Sequence, residues 1–225
     1  MPNLLVIEDH MKMVEMIQKY LKTINEGFCE DNTFCFSSSP TLKLDSLTSF
    51  KDIDKTSSRV TLEGRKDEVF SAIFQFLNDH SEENVLILID VLLNSQNISA
   101  PSVERYWADN EYSCEIYAEL LRIKNGKKIE GYDRINPEKM FHIIYSRSDA
   151  SIGVVAPVLS ELSRRQSDED RKYFPEECAR FENISWCWNG YERTNADLSI
   201  SEEQNGGSVP LRLPREYEKF VKELI

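Results

Sequence analysis

Apolar residues along this chain follow two rhythms. Short continuous runs end abruptly on polar residues: Leu4 to Ile7, Val85 to Ile89, and Met140 to Tyr145. Runs this short, rich in Val, Ile and Leu, suit strands buried on both faces, as in a parallel sheet. Thr33 to Ser37 and Ile184 to Trp188 are two further strand candidates. Between the runs the apolar positions recur at helical spacing. Met11, Val14, Ile17, Leu21 and Ile24 make one stripe, and Val69, Phe70, Ile73, Phe74 and Leu77 a second. Ile116, Tyr117, Leu120, Leu121 and Ile123 make a third, over about 111–124. A short helix carries Val158, Leu159 and Leu162 after Pro157, and a closing helix after Pro214 carries Tyr217, Phe220, Val221 and Leu224.

Punctuation agrees with these limits. Asn25-Glu-Gly27 stops the first helix, with Gly27 suited to a left-handed cap, and Asn125-Gly126 ends the third. Ser167 ahead of Asp168-Glu-Asp170 reads as an N-cap followed by an acidic first turn, leading a helix that Pro175 interrupts. Polar stretches depart from this economy. Residues about 38–65 read as an insertion with local structure, in which Val60-Thr-Leu62 is a candidate edge strand. Long loops are expected over about 95–110 and 189–208.

Strands that alternate with helices imply an α/β fold with a parallel sheet covered on both faces. The expectation is one domain over 1–225: a doubly wound parallel sheet of five strands, in the order 2-1-3-4-5, with insertions. Right-handed crossovers then bring all strand carboxyl ends to one rim.

That rim is where the chemistry collects. The first strand ends in Glu8-Asp9 and the third in Asp90, and in this order the two strands are neighbours. Three converging carboxylates cannot all ionise cheaply without a cation. Mg²⁺ takes such oxygen ligands and keeps waters for a substrate oxyanion. An Asp beside the metal can attack phosphorus and become an aspartyl phosphate. Ser146, ending the fourth strand, can offer a hydroxyl to a phosphoryl oxygen.

Charge narrows the partners. A formal net charge of −12 argues against a nucleic-acid groove or an anionic membrane surface. The first apolar run is too short for a signal peptide or a membrane span, so a soluble cytoplasmic protein is expected, with no membrane insertion. Five scattered cysteines without a CxxC pattern suit reduced, buried thiols. His10, His80 and His142 show no ligand spacing, and His142 fits a packed core position.

In these elements the chain resembles the receiver domain of bacterial response regulators. The resemblance rests on Glu8-Asp9 after strand one, Leu-Ile-Asp90-Val-Leu-Leu on strand three, and Ile-Ile-Tyr-Ser146 on strand four. By element order it covers most of the chain, although each motif is short. It implies a flavodoxin-like (βα)5 fold with Glu8 and Asp9 as metal carboxylates, Asp90 as phosphoacceptor and metal ligand, the Leu92 carbonyl as a further metal ligand, and Ser146 as switch hydroxyl. It also implies Mg²⁺ as cofactor and a protein partner such as a histidine kinase or phosphotransfer protein. Two departures stand beside it. Receivers carry a Lys at the end of strand five, where this chain has Trp186-Cys-Trp-Asn189-Gly. They also prefer a small residue after the switch hydroxyl, where this chain has Arg147, a candidate substitute for the missing positive charge. A degenerate pseudo-receiver that binds partners without phosphorylation therefore stays open. A Mg²⁺-dependent phosphohydrolase is a further alternative. Leu92 counts against it, because haloacid-dehalogenase phosphatases and Toprim enzymes want an acid at that position.

Overall fold

In a computed structural model of the chain, residues 1–8, 11–36, 47–52, 66–91, 93, 103–146, 155–175, 187–189 and 215–224 are described. They form an α/β fold. The strands are β1 (Asn3–Ile7), β2 (Thr33–Cys35), β3 (Thr48–Ser49), β4 (Val85–Asp90), β5 (Met140–Ser146) and β6 (Cys187–Asn189). The helices are α1 (Met11–Ile24), α2 (Lys66–Asp79), α3 (Val103–Lys124), α4 (Val155–Arg165), α5 (Asp168–Arg171) and α6 (Arg215–Glu223). The sheet order is β3-β2-β1-β4-β5-β6. Every neighbour pair is parallel except β2 with β3.

Burial explains why the apolar runs became central strands. All five residues of β1 and the first five of β4 are buried. A strand buried throughout has no solvent face, so both faces of the sheet must be covered. Removing such side chains from water stabilises the fold by ~1.5–3 kcal/mol each. The stripe of α1 behaves as its spacing predicts: Met11, Val14, Ile17 and Leu21 are buried.

Specific polar ties fix how the helices dock. Asn25 donates from Nδ2 to the carbonyl oxygens of Val221 at 3.0 Å and Leu224 at 2.8 Å, capping the end of α6 against the end of α1. The Tyr20 hydroxyl reaches Glu218 at 3.0 Å, and Phe220 packs edge-on to Phe141 of β5. On α3, Lys124 donates to the carbonyls of Pro137 at 2.6 Å and Met140 at 3.0 Å, which pins the helix end to the start of β5. A Schellman arrangement follows. Gly126 takes φ +96°, its N–H meets the Ile123 carbonyl, and the Lys127 N–H meets that of Arg122. Ser167 caps α5 by accepting from the Asp170 N–H at 3.1 Å. His142 is buried on β5, edge-on to Tyr117 of α3 with ring centroids 4.9 Å apart.

Several expectations are corrected. Gly27 is not left-handed. It is needed for space, because a Cβ there would stand 2.9 Å from Pro2 Cδ and from the Asn25 side-chain oxygen. The Asn25 Oδ1 instead accepts the Gly27 N–H at 2.9 Å, a local turn that ends α1 without a positive φ. The third helix begins at Val103, so much of the stretch expected as a loop over 95–110 is helical. Its first half places Val103, Tyr106 and Trp107 at helical spacing, but these few positions sit among polar residues and make a weak signal. A short edge strand, Thr48–Ser49, runs antiparallel to β2. Val60 to Leu62 lie outside the described residues, as does most of the stretch 189–208. The last strand is short, Cys187–Asn189, one residue beyond the expected end at Trp188. Cys29, Cys35 and Cys114 are free thiols, the latter two buried. Among the described residues no helix is long and apolar enough to cross a membrane.

Candidate functional site

The carboxyl edge of the parallel sheet gathers what the topology predicts it should. Leu4 through Ile7 of β1 pair in register with Leu86 through Ile89 of β4. Glu8 and Asp90 are the next residues, so they leave the sheet on neighbouring strands at the same level. Asp90 pairs in turn with Tyr145 of β5. Equivalent positions on adjacent parallel strands share a face. Glu8, Asp90 and Tyr145 therefore form one row across the sheet edge.

Their environments differ. Glu8 is only 3% exposed, which is costly for a carboxylate unless donors meet it. One donor is the Tyr145 hydroxyl, which donates to Glu8 Oε2. Tyr145 is itself fully buried. Asp90 is half-buried and so keeps access to solvent. The backbone leaving Asp90 is held on two sides. The Val91 N–H donates to the Tyr145 carbonyl at 2.9 Å, and the Val91 carbonyl accepts from the buried Ser113 hydroxyl of α3 at 2.9 Å.

Of the residues proposed from sequence, the structure brings Glu8 and Asp90 to one edge. Ser146 is the last residue of β5 and pairs in register with Asn189 of β6. Asp9, Leu92 and Arg147 lie outside the described residues. Tyr145 was missed. Its signal was available in strand alternation, since it holds the same register as Asp90, but a Tyr inside an apolar run reads first as core.

A hard divalent cation takes oxygen ligands, and two carboxylates on adjacent strand ends supply that chemistry. Among the described residues no group of three or more His, Cys, Asp and Glu side chains is placed to hold a metal.

A separate cavity of about 440 Å³ lies between α2, α3 and α4. Phe70, Phe74 and Leu162 line it together with charged side chains. Those charges pair among themselves and with the rim: Lys66 with Glu115, Arg122 with Glu119 at 2.7 Å, and Arg165 with Glu111 at 3.0 Å. It contains none of the sheet-edge residues, and the acidic edge remains the better candidate for chemistry.

No protein-family model matches the chain, and neither the curated proteins nor the solved structures include a significant match.

Proposed function

We propose that this chain is a receiver-like signalling module with a flavodoxin-like (βα)5 fold, in which Cys187–Asn189 serves as the fifth parallel strand. Asp90 is the phosphoacceptor. One of its carboxylate oxygens attacks the phosphorus of a donor, the donor's leaving group departs, and an aspartyl phosphate forms. Glu8, Asp9, Asp90 and the Leu92 carbonyl would hold Mg²⁺, which would supply positive charge beside the phosphoryl group. Ser146 offers its hydroxyl to the phosphoryl group, and Arg147 supplies positive charge in place of the absent lysine. The donor is a histidine kinase or phosphotransfer protein, and the added charge changes how a protein partner binds.

One observation carries this reading. A buried carboxylate, Glu8, and a solvent-accessible one, Asp90, leave adjacent central strands at the same level of the carboxyl edge. The test is incubation with Mg²⁺ and a small phosphodonor such as acetyl phosphate. Intact-mass measurement should show one base-labile phosphoryl group, lost on chelation and lost in Asp90→Asn.

The degenerate module has an observation of its own. The strand beside Ser146 ends in Asn189, a neutral residue, where a receiver presents a lysine. Cation binding at the edge without any phosphoryl gain would select that version. Repeated turnover of a phosphoester, abolished by Asp90→Asn, would select a Mg²⁺-dependent phosphohydrolase instead.

A further inference from the structure

We propose that Tyr145 is the positioning residue of the acidic edge, and that it carries the state of Glu8 into β5. The inference rests on the reading that this edge takes a divalent cation.

Tyr145 and Glu8 do not sit on neighbouring strands. β4, which ends in Asp90, lies between β1 and β5. The Tyr145 side chain therefore spans the end of the Asp90 strand to reach Glu8 Oε2. The same residue accepts the Val91 N–H through its carbonyl at 2.9 Å. One residue thus fixes the carboxylate on one side of Asp90 and the backbone that leaves Asp90.

Packing alone does not account for a tyrosine here. The site is fully buried, and a phenylalanine would fill nearly the same volume without a hydroxyl to satisfy. The hydroxyl has a use because Glu8 is buried and ionisable. A charge-assisted hydrogen bond is shorter and stronger than a neutral one, and it fixes which carboxylate oxygen faces β5. Partners of this kind orient a metal-binding carboxylate and tune its hold on the metal.

The coupling follows from the same bond. A cation that draws electron density from Glu8 weakens the carboxylate as an acceptor for the Tyr145 hydroxyl. That change arrives on β5, one residue before Ser146 and in register with Trp188 of β6. β5, two strands away from Glu8, therefore senses the cation through one side chain.

The experiment titrates the full chain with Mn²⁺ and Mg²⁺, as wild type, Tyr145→Phe and Glu8→Gln. Calorimetry reads affinity, and near-ultraviolet difference absorbance reads the tyrosine hydroxyl. Tyr145→Phe should weaken Mn²⁺ binding about tenfold or more. Wild type should give a tyrosine difference band on adding cation, and both variants should lack it. A Tyr145→Phe protein that binds Mn²⁺ as tightly as wild type overturns the role of Tyr145 and leaves the cation site standing. If wild type binds no cation, the site reading falls and the inference falls with it. Should Tyr145→Phe fail to fold, the wild-type and Glu8→Gln spectra decide: a band in wild type that is lost in Glu8→Gln supports the coupling, and its absence from wild type that does bind cation overturns it.

Discussion

Lowering the pH should destabilise this protein through a residue in its core. His142 lies on β5, fully enclosed between Tyr117 of α3 and the sheet, with the Lys124 ammonium nearby. Burial, and secondarily the charge of Lys124, push its pKa from an ordinary 6.5 down to about 3. The unfolded chain takes up a proton near 6.5, while the folded chain refuses it until about 3. Between those values the unfolded state binds more protons, so stability falls as pH falls. The full contribution is present above 6.5 and is lost progressively toward 3. The slope approaches about 1.4 kcal/mol per pH unit, so at about pH 4.5 the loss from this one group is roughly 2.7 kcal/mol. Set against a typical total of about 5–15 kcal/mol, that is a large share. The assay is urea unfolding followed by circular dichroism, at steps between about pH 7.5 and pH 4.5, for wild type and His142→Phe. Phenylalanine keeps an aromatic ring against Tyr117 and removes the titration. Carboxylates contribute equally to both proteins, so the difference between the two curves isolates His142. That difference should be flat above about pH 7 and open by more than 1 kcal/mol per unit below about pH 6. Parallel curves over the whole range would refute the reasoning.

Two stability predictions follow from the packing. Ile87 is fully buried on β4, in register with Leu5 on one side and His142 on the other, and Ile87→Ala should cost about 2–5 kcal/mol in urea unfolding. A cost under about 1 kcal/mol would mean that the centre of the sheet is not close-packed there. Asn25→Ala removes both side-chain bonds to the end of α6 and the turn bond to Gly27. It should cost about 1–2 kcal/mol and raise hydrogen exchange along Arg215–Glu223 more than along β4. Equal protection of α6 in both proteins would show that this helix docks without Asn25.

The central strands were legible because their signal is local. A run such as Val85 to Ile89 has to be buried on both faces whatever the rest of the chain does, and a parallel sheet is the arrangement that buries it. The α1 stripe and the Gly126 and Ser167 caps were legible for the same reason, since spacing and cap chemistry act within a few residues. The first half of α3 was overlooked because only Val103, Tyr106 and Trp107 carry its apolar period among polar residues. Gly27 was misread because its constraint comes from Pro2, which lies far from it in sequence and close to it in space.

For the candidate site, the sequence by itself determined that Glu8 and Asp90 would end apolar strands, because abrupt carboxylates after buried runs must emerge at a sheet edge. It also determined that Trp186-Cys-Trp-Asn189-Gly brings no lysine to the end of the last strand. Only the tertiary structure decided that Ile7 pairs with Ile89, so that the two carboxylates leave side by side. Only there could Tyr145 reach across the Asp90 strand to Glu8. Register and a bond between strands that are not neighbours are properties of packing between distant segments. Local periodicity places a residue on a strand; the sheet assembled from all its strands decides which residue it meets.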